Sequence, residues 1–155
     1  FCSDLVFMLP NATPYHFGIL TSTMHNAWVR STCGRLKSDF RYSAAIVYNN
    51  FPWPEAPTDA QRAAVEVAAQ AVLDARARFP GETLADLYDP LTMPPALLKA
   101  HHKLDAAVDA AYGKKPGSLE SDAERVAFLF ERWQALTSLL PAAPVKRPRR
   151  TAPAG

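Results

Sequence analysis

The stretch Phe51-Pro52-Trp53-Pro54-Glu55-Ala56-Pro57-Thr58-Asp59-Ala60-Gln61 separates two regions of different character. Three prolines within six residues fix φ and push the residue before each out of the helical region, so the first part of this stretch is extended. The second part is a helix start: Thr58 offers an N-cap oxygen and Gln61, three residues on, completes a capping box. From Ala56 onward lie 23 of the chain's 27 alanines, residues of the highest helix propensity. The fold class this predicts is mainly α with a small β component (α+β). Residues 1–54 form a front part, 55–57 a proline-rich connector, 58–140 a helical domain and 141–155 a basic tail.

Downstream of the connector, Val65, Ala68, Ala69, Val72, Leu73 and Phe79 make an apolar stripe that stops at Pro80-Gly81. A second helix is expected from Pro94 or Pro95 to Tyr112, ahead of Gly113, with Leu97, His101, Leu104, Val108 and Ala111 on its buried face. The third has Ser121 as N-cap with Glu124 three residues on, then Val126, Leu129, Phe130, Trp133, Leu136 and Leu140. Amphipathic helices of this kind bury their stripes against neighbours, so the three are expected to pack on one another as a bundle. The tail from Pro144 has no core-forming residue except Val145 and is expected to be disordered.

Upstream, the apolar run at 4–9, closed by Pro10, Asn11 and Pro14, reads as a buried strand ending in a turn. Phe17, Leu20, Met24, Ala27 and Trp28 fit one face of a helix over about 15–31, with Thr21, Ser22 and His25 on its far side, Asn26 and Arg30 flanking, and Gly34 as its stop. Between Lys37 and Asn50 the residues Tyr42, Ile46, Val47 and Tyr48 favour one or two short strands. Trp28, Trp53 and Trp133 are expected in the core.

At 155 residues the chain can bury about 70% of its unfolded surface, so a core is available without disulfide staples. Two cysteines, Cys2 and Cys33, are too few for a secreted disulfide framework, and a reducing cytoplasm is the expected compartment. No run of 18 apolar residues is present, so no membrane-spanning helix is expected. The start at Phe1, running directly into apolar sequence, reads as a fragment cut from a longer protein.

The net charge of +2 hides opposing parts. Residues 1–54 carry Arg30, Arg35, Lys37 and Arg41 against Asp4 and Asp39; the region from 55 to 143 is acidic; the tail adds Lys146, Arg147, Arg149 and Arg150 with no anion. That tail reads either as a non-specific DNA tether or, preferably, as a solvated terminus. The six glycines contain no G-x-G pair, which removes dinucleotide and phosphate-loop fingerprints, and neither G-x-S-x-G nor H-E-x-x-H occurs. His101 and His102 are adjacent and point to different helix faces, so a metal role is not expected. Cys33 reads as a buried thiol, and Asp86 with Asp89 as part of a solvated face. No self-sufficient active site is legible.

What remains is the front segment, where four cations fall within twelve residues among Ser31, Thr32, Ser38, Tyr42 and Ser43. Such a mixture of donors suits phosphate oxygens, and Arg, Asn and His on a presented helix suit base edges. Arg30, Arg35, Lys37 and Arg41 are therefore candidate phosphate or groove contacts, and His25, Asn26 and Tyr42 candidate base or sugar contacts. The bland reading pairs Arg30 and Arg35 with Asp39 and helix C-termini. From charge alone, a helical protein-interaction module whose acidic face docks a basic partner, with no direct DNA role, is the competing assignment.

The runs His16-Phe17-Gly18-Ile19-Leu20-Thr21-Ser22-Thr23-Met24-His25-Asn26-Ala27-Trp28, Gly34-Arg35-Leu36-Lys37-Ser38-Asp39-Phe40-Arg41-Tyr42-Ser43 and Val47-Tyr48-Asn49-Asn50-Phe51-Pro52-Trp53-Pro54 resemble the end of the target-recognition domain of MmeI-like DNA methyltransferases. These are fused restriction and modification enzymes that methylate adenine N6 with S-adenosylmethionine. Leu84-Ala85-Asp86-Leu87-Tyr88-Asp89-Pro90-Leu91-Thr92-Met93-Pro94-Pro95 and the helix after it are similar to the family's small C-terminal helical domain. The resemblance implies the C-terminal portion of a site-specific adenine-N6 methyltransferase of a bacterial restriction-modification system. It further implies double-stranded DNA and the N-terminal methyltransferase domain of the same polypeptide as partners, and no membrane.

The family's catalytic tetrapeptide, N-P-P-Y or N-P-P-F, is absent; Asn49-Asn50-Phe51-Pro52 and Met93-Pro94-Pro95-Ala96 do not substitute for it. Its glycine-bearing cofactor motif and its nuclease residues are absent too. The expectation is a fragment with no catalytic residue and no metal, binding no cofactor itself, while S-adenosylmethionine serves the parent enzyme.

Overall fold

The structure, a computed structural model, describes residues 7–36 and 39–138. Helices α1 (Pro14–Thr21) and α2 (Thr23–Thr32) lead into an antiparallel hairpin of β1 (Gly34–Leu36) and β2 (Asp39–Arg41) and a single π-turn over Ala44–Tyr48. After the connector come α3 (Asp59–Ala77), the one-turn α4 (Leu84–Leu87), α5 (Pro95–Ala111) and α6 (Asp122–Thr137). The mainly helical class with a small β component holds.

Local chemistry sets the helix ends. Thr58 with Gln61 and Ser121 with Glu124 form the expected capping boxes of α3 and α6, and Thr83 with Asp86 forms a third that starts α4. Gly113, at φ 72°, follows α5 in the left-handed region that ends helices.

Four local expectations are corrected. The helix over 15–31 is two helices, because Ser22 leaves the helical region (φ −70°, ψ 159°), its hydroxyl donating to the Ile19 carbonyl at 2.6 Å and capping α2. Gly34 does not stop α2 through a left-handed turn; the helix ends at Cys33 in extended conformation and Gly34 opens β1. The strands expected around Ile46–Tyr48 lie earlier, at 34–36 and 39–41, and Ile46, Val47 and Tyr48 are in the π-turn. There tertiary contacts override β propensity, since Val47 is fully buried and its carbonyl accepts the Trp28 indole N–H at 3.0 Å. Of the apolar run at 4–9, residues 7–9 are neither strand nor buried, while the turn at Pro10-Asn11 is present. Residues 1–6, Leu140 and the basic tail lie outside the described residues.

The helices of the second half do not form a self-contained three-helix bundle. α3 packs on α5 and on α1, whereas α6 packs chiefly on α2. One continuous core therefore runs from Ile19, Met24 and Trp28 through Val65, Val72, Leu97 and Leu104 to Leu129. This arrangement explains why Phe130 and Leu136 of the predicted third stripe are exposed, as is Leu73 of the first. Trp53 and Trp133 are half-buried against the core, and Trp28 is inside it.

The two halves meet closely at Gly18 on α1. A Cβ there would meet the Val65 Cγ1 at 2.8 Å, with Ala69 and Leu104 carbons at 3.2 Å, so the backbone itself is the contact surface. Gly18→Ala is expected to cost about 1–3 kcal/mol through overpacking. Gly34→Ala, where a Cβ meets nothing within 4 Å, should stay within about 0.5 kcal/mol. Chemical denaturation of the two variants checks this; equal stability of both would remove the packing argument.

Candidate nucleic-acid interface

The candidate residues of the front half converge on α2, the hairpin and the turn that follows. α2 buries Met24, Ala27 and Trp28, with the Trp28 ring 5.0 Å from Phe130 and 6.3 Å from Phe51. His25 lies on the same side, not on the solvent face expected for it, and is only 3% exposed; Ser22 is fully buried as well. Phe51 and Tyr42 cover this flank of α2 in addition to the face that carries Met24, Ala27 and Trp28, and this buries His25. Its ring meets Phe51 edge-on at 4.5 Å, and its Nε2 is 3.1 Å from the Tyr42 hydroxyl.

Burial pushes the His25 imidazole down to about 4 and the Tyr42 phenol up to about 12, so at neutral pH both are uncharged. The phenol keeps its proton. Among the described residues the His25 Nδ1 has no hydrogen-bond partner.

Asn26 is exposed, its amide donating to the Ser22 carbonyl at 3.0 Å and to that of Thr21 at 3.3 Å, which closes the end of α1. Arg30 is half-exposed and forms a fork onto Asp122, Nε to Oδ2 at 2.6 Å and Nη2 to Oδ1 at 2.9 Å. Arg35 is on β1 opposite Phe40, and Arg41 is exposed at the end of β2 opposite Gly34. Lys37 lies outside the described residues. His25, Asn26 and Tyr42 thus share one groove of about 620 Å³, together with Tyr48 and Asn49 of the π-turn and the segment 7–10.

A second polar cluster joins the halves beside this groove. The Arg76 guanidinium donates to the Tyr88 hydroxyl, which is 2.7 Å from the His101 Nε2. Burial, with help from the Arg76 charge, holds the His101 pKa below its ordinary value despite Asp105 nearby. Asp105 accepts from the Thr23 backbone N–H and hydroxyl. Asp86 accepts from Thr83 in a capping box, which accounts for its carboxylate locally. Among the described residues no three His, Cys, Asp or Glu side chains are placed to share a metal ion, and Cys33 is half-buried and free.

Asp105, Asp122 and Tyr48 carried no signal in sequence reasoning. The partners of Asp105 and Asp122 lie far along the chain and are met only through the approach of α5 and α6 to α2, whereas Tyr48 enters the groove from the π-turn.

Residues 1–55 match the family model described as the MmeI target recognition domain, and residues 57–141 match the MmeI C-terminal domain. DNA methyltransferase A of Bacillus subtilis (strain 168) is 45% identical over 135 residues, covering 87% of this chain and 15% of that protein. The solved structure of the type IIL restriction-modification enzyme MmeI in complex with DNA superimposes with a TM-score of 0.79 at 55% identity, over 84% of this chain and 17% of that one. The chain therefore spans about one sixth of the length of these relatives.

The buried His25 gives the site a pH dependence of definite sign. Its folded value, about 4, is below the unfolded value near 6.5, so protonation favours the unfolded chain. Stability is fully present above about pH 6.5 and falls between 6.5 and 4, by at most about 1.4 kcal/mol per pH unit. Urea titrations at pH 7.5, 5.5 and 4.5 should show His25→Gln losing less stability than the parent across this range; parallel losses would mean that other groups carry the effect.

Proposed function

The chain belongs to the MmeI family, and from that premise we propose that it is the C-terminal portion of a DNA (adenine-N6) methyltransferase of a restriction-modification system. In this reading it contributes to DNA target recognition and is not itself catalytic. Its partners are double-stranded DNA and the methyltransferase domain of the same polypeptide, and its compartment is the bacterial cytoplasm. No helix among the described residues is long and apolar enough to cross a membrane.

The observation that carries the proposal is the placement of Arg41 and Arg35 on a two-stranded hairpin directly after α2, within the segment that matches the recognition-domain model. A hairpin is narrow enough to enter or straddle a DNA groove, and guanidinium groups carried on it, of which that of Arg41 is exposed, suit phosphate oxygens and guanine edges. Arg35, Lys37 and Arg41 are assigned phosphate or groove contacts. Arg30 is left out of that set because Asp122 engages its guanidinium. Asn26 and Tyr42 are the accessible polar groups of the adjoining groove, and buried His25 acts on DNA only through Tyr42.

S-adenosylmethionine is the cofactor of the parent enzyme in this reading, and the residues of this chain do not fit it. Gly18 is filled by Val65, and Gly81, Gly113 and Gly117 stand singly in turns with positive φ, so no glycine pair forms a cradle. Adenine flipping and methyl transfer therefore belong to the upstream part. The role left to this chain is to grip the duplex while the base, at a cost of a few kcal/mol, leaves its stack.

The competing assignment, a helical protein-interaction module carrying the front segment as an appendage, is disfavoured by packing. α1 lies against α3 and α5, and the Tyr112 hydroxyl donates to the Pro52 carbonyl at 3.0 Å, so the front half is built into the core.

Arg35→Ala and Arg41→Ala in the intact methyltransferase should each weaken binding to all duplexes and lower the slope of log K against log salt by about 0.9 for each lost phosphate contact. Fluorescence anisotropy over a salt series reads both quantities. Unchanged affinity and slope for both variants would overturn the assignment, as would an upstream reading frame without an N-P-P-Y or N-P-P-F motif.

A further inference from the structure

Helix α2 is gripped at both ends by carboxylates from the second half of the chain. At its first residue, Asp105 of α5 takes the Thr23 N–H on Oδ1 at 2.7 Å and the Thr23 hydroxyl on Oδ2 at 2.6 Å. A carboxylate at a helix N-terminus also meets the positive end of the helix dipole, which adds to the two hydrogen bonds. In the last turn, both fork nitrogens of Arg30 close on Asp122, the first residue of α6. Asp122 is itself in the favourable first turn of its own helix, so the pair ties the end of α2 to the start of α6.

Between these points the Trp28 ring lies against Phe130 of α6. Hydrophobic contact alone sets the distance between α2 and its neighbours. It resists sliding along and rotation about the axis poorly, whereas charge-assisted, two-pronged hydrogen bonds are directional. β1 begins two residues after α2 ends, so the aim of the hairpin is inherited from that helix.

We infer that Asp105 and Asp122 are positioning residues for DNA recognition, fixing the register and rotation of α2 and thereby the pose of the hairpin that carries Arg35 and Arg41. The inference rests on the reading under Proposed function and deepens it. The helical second half then acts as a brace for specificity, and Arg30 belongs to that brace.

The test uses the intact methyltransferase and two duplexes, one carrying the motif it methylates and one with a single mismatch to that motif. Asp105→Asn, Asp122→Ala and Arg30→Ala should each reduce the ratio of matched to mismatched affinity about 3- to 10-fold, with the salt slope unchanged because no phosphate contact is lost. The exchange Arg30→Asp with Asp122→Arg should restore most of the ratio lost in the Asp122 and Arg30 single variants. Arg30→Ala removes a surface pair and keeps the test decisive should Asp105→Asn fail to fold.

A lower melting temperature with an unchanged affinity ratio in all variants would reduce the carboxylates to structural roles and overturn the inference. Tighter binding of Asp122→Ala to every duplex with a steeper salt slope would overturn it differently, by showing Arg30 to be a phosphate ligand that Asp122 restrains. If Arg35→Ala and Arg41→Ala leave binding untouched while Asp105→Asn lowers the ratio, the brace stands and the assignment of the hairpin falls.

Discussion

The close approach of α1 to α3 and α5 at Gly18 is the constraint on which the remaining architecture depends. With no Cβ on α1 at that point, Val65, Ala69 and Leu104 pack directly against backbone, and the axes come nearer than any larger residue allows. That proximity brings the C-terminal end of α1 beside α5, puts Thr23 within reach of Asp105, and leaves α2 free to turn at Ser22 and run toward α6. α2 then presents Trp28 to Val47, Phe51 and Phe130 at once, which closes the core over the π-turn and the start of the connector. A buried ion pair, Arg125 to Asp109 at 2.8 Å, with Gly117 N–H also donating to Asp109, holds α6 to the end of α5 and completes the frame.

Much of this was legible in the sequence where physics is local. Capping pairs such as Thr58 with Gln61 and Ser121 with Glu124 work over three residues, and their helices begin where the pairs place them. Buried faces are legible at the centre of a stripe, as at Val65, Ala69 and Val72, all fully buried. The edges of a stripe are not: Leu73 and Leu136 belong to stripes wider than the surface that covers them. Ser22 looked like one polar residue within a helical period, and nothing in the spacing revealed that it would cap a second helix. Ile46, Val47 and Tyr48 carry strand propensity that the Trp28 indole and the core overrule.

The candidate site divides along the same line. Residue types suited to DNA were visible in the cluster of cations from Arg30 to Arg41, because donor chemistry is a property of the side chain. Which of them are free to use it is a property of the fold. His25 is withdrawn into an aromatic nest, Asn26 partly spends its amide on the end of α1, and Arg30 is drawn toward Asp122. The accessory residues Asp105 and Asp122 read as ordinary solvated acids, since their partners are 82 and 92 positions distant.

The proline stretch between the halves is no tether. Pro52 and Pro54 are buried, Trp53 stacks edge-on against Phe51 and Tyr48, and Tyr112 fastens the Pro52 carbonyl from α5. For anyone exchanging recognition modules between relatives, this changes where a splice belongs. A crossover at residues 55–57, where the two family matches meet, separates Gly18 from Val65 and Thr23 from Asp105, so each donor half would face a foreign surface it was not shaped to fit. A graft confined to the hairpin, between Cys33 and Tyr42, leaves those contacts intact and moves only the strands that carry Arg35 and Arg41.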